Sequence, residues 1–210
     1  VLSKGRLTTG VGIGWMAEEI ALLGGPAFKD RAPASEEYIE AFQEMWTADK
    51  PAKHGAHVDF ENMVFAPKSA QSPHPPIWVG GEVDGALRRA GRLGDGWYPV
   101  AANPRIPLDT PDLYAVAFSK VQAAAENAGR DPGKIDAAIL AIKSRIGPEQ
   151  EGRDNARMAF TGSAQAIVDD IGAFQEVGLQ HFLIGGDGSD LPGTLERLEE
   201  FSCEVMRKFT

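Results

Sequence analysis

The sequence predicts an α/β fold in which a parallel sheet is flanked by helices, and three observations carry that prediction. Strand-like and helix-like segments alternate along the chain. The main framework contains no two strands joined by a short turn, so neighbouring strands need helical crossovers between them. One stretch also shows the repeating unit whole: the apolar run Pro75 to Val79, the turn Gly80-Gly81, a helix from about Val83 to Leu93, and a second strand beginning near Gly96-Trp97. Periodicity alone leaves open whether the sheet is doubly wound or closed into a barrel.

Taken in order, Leu7 to Gly14 reads as the first strand and Met16 to Leu23 as a short helix. A stronger helix is expected from Ser35 to Thr47. Ser35 would cap it, Glu36 and Glu37 would favour its first turn, and Ile39, Phe42, Met45 and Trp46 would share a core-facing side. Between Pro51 and Pro75 short aromatic and polar runs alternate with turn residues, which predicts a small hairpin excursion. After the two strands of the central unit, Thr110 and Pro111 mark the start of a helix reaching about Ala128. Ile135 to Ile142 is the next strand, and Lys143 to Asp154 reads as a charged loop. Ser163 then caps a helix with Ile167, Ile171 and Phe174 on one side, followed by the strand His181 to Ile184. The last helix, from Pro192 to about Lys208, is expected to bury Leu195, Leu198, Phe201 and Val205. With no repeat and no linker, residues 1–210 read as one domain.

Composition narrows the function. The chain has 210 residues, 43% of them hydrophobic, enough for one sizeable core. Thirty acidic residues against 21 basic ones give a formal charge of −9, which argues against a nucleic-acid partner. The lone Cys203 has no partner for an internal disulfide, and no long apolar run suggests a membrane span, so the simplest expectation is a cytoplasmic protein. The opening run Val1 to Arg6 leads at once into a strand with no start signal, as though the chain begins part-way through a longer one.

The chemistry concentrates in glycines at strand ends. Gly80 and Gly81 leave backbone N–H groups uncovered at a helix start, where the helix dipole also favours an anion such as a cofactor phosphate; a turn that merely connects strand to helix explains them as well. In Gly10-Val11-Gly12-Ile13-Gly14 the three glycines share one face of the strand. A face without side chains either admits a flat group or relieves crowding inside a barrel. The spacing is not the dinucleotide fingerprint, because Trp15-Met16-Ala17 follows where a third glycine should open a helix. His54 and His57 are three apart in a turn-rich stretch and read as an exposed loop, so no metal site is expected. His74 and His181 read as structural, although a histidine at a barrel mouth can also transfer protons. No nucleophile elbow, Walker loop or zinc-protease helix is present, which removes hydrolase and kinase readings.

An ordered set of motifs resembles the luciferase-like monooxygenase family. Gly5 to Trp15, Glu18-Glu19, Tyr38 to Ala41, Met45 to Thr47, Pro67-Lys68, Pro73 to Gly81, Ala86 to Ala90 and Gly94 to Trp97 match in order and spacing, with a weaker match around Gly162-Ser163, Val177 to Leu179 and His181-Phe182. The nearest branch is that of the deazaflavin-dependent oxidoreductases. The resemblance implies a (β/α)8 TIM barrel of the luciferase-like type, here lacking roughly the first three βα units, and therefore a fragment of a longer polypeptide. It implies coenzyme F420 (a deazaflavin) or FMN as cofactor and a small organic molecule as substrate, transformed by hydride transfer or by oxygen activation on reduced FMN. By the same resemblance Gly80, Gly81 and Glu82 would hold the cofactor phosphate. Gly12, Gly14 and Trp15 would lie beside its ring, and Gly94, Asp95 and Gly96 would border the same pocket. Trp15 and Trp97 would line the substrate pocket, although both also suit core packing. Asp95 also suits a backbone-capping turn, Glu18 and Glu19 suit first-turn helix acids, and Arg88 and Arg89 either meet an acidic cofactor tail or form a solvated face. No catalytic residue is identified, and a homodimer stays open. A non-catalytic flavin-binding protein derived from the family by loss of barrel units is the alternative, and an unrelated sugar-phosphate-binding barrel a third.

Overall fold

The computed structural model describes residues 2–185 and 190–209; Val1, the first residue of the opening run noted above, lies outside the described residues. Five parallel strands form the main sheet in the spatial order β1 (Thr9–Val11), β4 (Ile77–Val79), β5 (Gly96–Trp97), β6 (Asp136–Ala141) and β9 (His181–Ile184). Each strand lies beside its predecessor in the sheet, so successive crossovers all advance in one direction. Because such crossovers are right-handed, the connecting helices collect on one face. A doubly wound sheet would reverse direction and place helices on both faces. The order therefore resolves the open alternative in favour of a barrel-type half-sheet, whose edge strands β1 and β9 do not pair with each other among the described residues.

The helical layer consists of α1 (Ala17–Leu22), α2 (Arg31–Thr47), α3 (Asp84–Leu93), α4 (Pro111–Asn127), α5 (Ala164–Glu176) and α6 (Leu191–Glu204). Alternation sets the two sides of the sheet. Ile77, Val79, Trp97, Ala137 and Ile139 point toward the helices and are almost wholly buried, packed with Leu87, Tyr114, Val121, Ile167 and Phe174. Helices α3 and α4 approach closely at Gly91, where a Cβ would stand 2.3 Å from the Val121 carbonyl oxygen. Two expected caps are present: Thr110 Oγ1 accepts from Leu113 N at 3.3 Å and Ser163 Oγ accepts from Ala166 N at 3.1 Å. The hairpin excursion is also present, with β2 (Lys53–His54) antiparallel to β3 (Asp59–Phe60).

Four local expectations need correction. The first strand is only Thr9–Val11, because the glycine run does not hold an extended ladder and Gly14 turns to φ +74°. Ser35 does not cap α2. The helix starts at Arg31, its first turn tolerates Pro33, and Ser35 is buried in its second turn. The charged loop after β6 contains a strand, β7 (Arg145–Ile146), pairing in parallel with β8 (Thr161–Gly162). In α6, Phe201 and Val205 are buried as expected, whereas Leu195 and Leu198 are 56% and 37% exposed. No helix among the described residues is long and apolar enough to cross a membrane.

Candidate functional site

The carboxyl ends of the strands gather one part of the expected site. Contrary to expectation the Gly80 amide is not uncovered: Gly80 N donates to Val11 O at 2.9 Å, continuing the ladder between β1 and β4 by one bond, and this brings the turn after β4 alongside Gly12, just past the end of β1. Gly81 takes φ +112°, a conformation open to glycine, and a Cβ there would lie 2.9 Å from the Ala86 Cβ. Helix α3 follows without a side-chain cap, so the amides of Asp84 and Gly85 in its first turn have no intrahelical acceptor. The Glu82 carboxylate is turned away into the next loop, accepting from Val100 N at 2.7 Å and Asn103 Nδ2 at 2.6 Å. Trp15 is 80% exposed at the end of β1, and Gly14 packs over Ile20.

The glycines of the concave face divide into two kinds. A Cβ on Gly10 would stand 2.8 Å from the Tyr98 hydroxyl and one on Gly80 would stand 3.2 Å from the same ring, so Tyr98 fills both gaps. Gly96 is covered likewise by Trp78, whose Cδ1 would be 2.5 Å from a Cβ. Trp78 Nε1 donates to Asp136 Oδ2 at 3.1 Å and its ring meets His181 at 4.8 Å between centroids. Here relief of crowding is the correct reading. At Gly12, by contrast, nothing among the described residues lies within 4 Å of the missing Cβ, which leaves open space beside the phosphate-sized turn. Sequence reasoning missed Tyr98, Trp78 and Asp136, though large aromatics alternating with glycines on neighbouring strands are the pattern that fills a barrel interior. Thr8, Gly10, Trp78, Tyr98, His181 and Leu183 line a concave cavity of about 430 Å³ below the turn. Burial raises the Tyr98 phenol above its usual range.

The second part of the expected site does not join the first. Gly94 and Asp95 precede β5 and so stand at the amino end of the sheet, and Gly96 opens the strand beneath Trp78. Asp95 Oδ2 accepts from Ile77 N at 2.9 Å, at the start of β4, while its other oxygen faces Arg130 at 3.6 Å. Asp95 is a backbone-capping residue, and none of the three borders the open space beside Gly12. Trp97 is also misplaced by expectation. It is fully buried among the helices, stacked on Tyr114 at 5.4 Å, and its Nε1 donates to Gly81 O at 2.9 Å, so it steadies the turn from behind. Arg89 points inward to Glu36 at 3.6 Å and is 3% exposed, with burial lowering its pKa, which rules it out as a contact for a cofactor tail; Arg88 is exposed. His54 pairs with Asp59 in the hairpin at 2.7 Å.

The model of one family, described as luciferase-like monooxygenase, matches residues 1–177. The chain belongs to that family. It is 31% identical over 170 residues to an FMNH(2)-dependent dimethylsulfone monooxygenase of Pseudomonas putida, a match covering 76% of this chain and 47% of the relative. It is 27% identical over 137 residues to a phthiodiolone/phenolphthiodiolone dimycocerosates ketoreductase of Mycobacterium kansasii, covering 64% of this chain and 35% of the relative. The luciferase-like chain thus spans less than half the length of these relatives. Among solved structures, an F420-dependent secondary alcohol dehydrogenase in complex with an F420–acetone adduct superposes with TM-score 0.73 at 20% identity, covering 96% of this chain and 70% of that one. A coenzyme F420 dependent tetrahydromethanopterin reductase from Methanopyrus kandleri gives 0.66 at 17% identity, covering 100% and 76%. At these identities the superpositions show a shared fold.

Proposed function

We propose that this chain is part of a flavin- or deazaflavin-dependent oxidoreductase that binds FMN or coenzyme F420 and acts on a small organic substrate. The observation that carries the reading is the open space at Gly12 directly beside the Gly80-Gly81 turn and the start of α3. The first amides of α3 offer donors to a phosphate, while the Gly80 amide is already committed to Val11, and the absent side chain at Gly12 leaves room for a flat ring. Bound there, the cofactor supplies two-electron chemistry: hydride transfer for a deazaflavin, or oxygen activation for reduced FMN. The chain's own residues bind, orient and shield. Glu82 holds the loop after β5 in place, Trp97 fixes the Gly81 carbonyl, Tyr98 and Trp78 form a floor beneath the ring, and Trp15 covers the substrate side. In this reading about three further βα units complete an eight-stranded barrel with the five strands seen here.

A fluorescence titration of the protein, with any native sequence upstream of Val1 retained, tests this against FMN and the deazaflavin coenzyme in parallel. Tight binding of the deazaflavin alone makes the enzyme a hydride-transfer oxidoreductase. Preference for FMN makes it an oxygen-using monooxygenase, and binding of neither refutes the site. Gly12→Ala should weaken the preferred cofactor roughly tenfold or more by filling the space the ring needs.

A further inference from the structure

We infer that the hydroxyl of Tyr98 is a hydrogen-bond donor to a ring system bound on the concave face, at the carbonyl-bearing edge that flavins and deazaflavins share. The inference rests on the cofactor reading above and gives Tyr98 a task beyond filling space. Tyr98 follows β5 directly, its amide donates to Val79 O at 3.1 Å, and it stands between the buried Trp97 and Pro99, so its backbone is fixed. Its ring is fixed as well, lying over Gly10 and Gly80, where the missing Cβ atoms would stand 2.8 Å from its hydroxyl and 3.2 Å from its Cζ. All of these groups belong to the described residues.

Three observations direct the hydroxyl to a ligand. The first is that packing does not need it: phenylalanine would cover both glycines with the same ring, and the Tyr98 hydroxyl has no hydrogen-bond partner among the described residues. A half-buried hydroxyl without an internal partner is a donor for a ligand or a water molecule to satisfy. The second is that Tyr98 lines the cavity of about 430 Å³, a size that suits a ring system. Of the other polar groups there, Trp78 Nε1 is engaged by Asp136 at 3.1 Å and Gln180 Oε1 by the Ala137 amide at 2.9 Å, while Thr8 precedes β1 and His181 opens β9, so both stand toward the amino end. The third is position. The hydroxyl stands beside Gly10, and Gly12 with its open space is two residues further along the strand, about 7 Å, a gap shorter than a fused three-ring system. Burial raises the Tyr98 phenol, so it keeps its proton at neutral pH and serves as a donor.

The test is Tyr98→Phe in the protein with any native upstream sequence retained. Parent and variant are titrated with whichever of FMN and the deazaflavin coenzyme the parent prefers, and with the same ring compound lacking the phosphate, which for FMN is riboflavin. The variant keeps the aromatic ring and removes no existing partner, so its melting curve should match that of the parent. Loss of one hydrogen bond should weaken binding roughly tenfold, equally with and without the phosphate, and should shift the visible absorption band of the bound ring. A parent that binds neither cofactor refutes the cofactor reading and this inference with it. A parent that binds, with a variant of unchanged affinity and spectrum, overturns this inference alone. A loss confined to the phosphate-bearing form also overturns it, because Tyr98 then acts through the Gly80 turn on which it packs.

Discussion

Replacing Asp95 with alanine separates a structural role from a cofactor role. The Asp95 carboxylate accepts the Ile77 amide at 2.9 Å, and Ile77 is wholly buried, so truncation leaves that N–H without a partner. A hydrogen bond to a charged acceptor contributes about 1.5 to 3 kcal/mol. The contact to Arg130 at 3.6 Å joins two side chains that are about one-third exposed, and solvent limits such a pair to about 1 kcal/mol. The expected loss is therefore about 2 to 4 kcal/mol, a large share of the 5 to 15 kcal/mol typical of a folded domain. With a urea slope of about 2 kcal/mol/M, the unfolding midpoint should fall by about 1 to 2 M. Asp95→Asn keeps an oxygen that can accept from Ile77 and should recover much of the loss. Cofactor affinity of the folded Asp95→Ala protein should equal that of the parent, because Asp95 stands at the opposite end of β4 from Gly80. A stability loss below about 1 kcal/mol, or a folded variant that no longer binds cofactor, would refute the reasoning.

Other perturbations test neighbouring parts of the argument. Gly10→Ala should destabilise by about 1 to 3 kcal/mol because the methyl meets the Tyr98 hydroxyl, whereas Gly12→Ala should stay within about 0.5 kcal/mol; urea denaturation compares them. Gly91→Ala places a methyl against the Val121 carbonyl and should lower stability by about 1 to 3 kcal/mol in thermal melts, despite the roughly 1 kcal/mol alanine gains in a helix. Trp97→Phe keeps the aromatic stack but leaves the Gly81 carbonyl unpaired, at a cost of about 1 to 3 kcal/mol, and should speed amide exchange at residues 81–85. Glu37 accepts the amides of His57, Ala56 and Val58, and the bond from His57 does most to hold its carboxyl below the ordinary value of 4.5. Its contribution is therefore present above that value and lost as pH falls through the lower folded value. Amide protection at His57 should fall across that acid window, and Glu37→Gln should flatten the pH dependence.

The sequence determined what depends on neighbours along the chain. Thr110 and Ser163 were legible as caps because a cap acts on an amide three residues on, and the Gly80-Gly81 turn was legible because an apolar run stops there and a helix begins. Even the place of Asp95 was available, since a residue between a helix and the next parallel strand must stand at the amino end of the sheet; the motif resemblance drew it to the pocket instead. What only the tertiary structure decided is which gaps the protein fills itself. Whether a glycine leaves open space depends on side chains far away in sequence, as Tyr98 does for Gly10 and Trp78 for Gly96, and that pairing is set by strand register. The same holds for Trp97, whose side of the sheet follows from the pleat, and for Leu195, which is exposed in α6 while Phe201 of the same helix is buried. Local signals act over a few residues through backbone hydrogen bonds and dihedral preferences. Burial and open space arise only when segments distant in the chain are brought together.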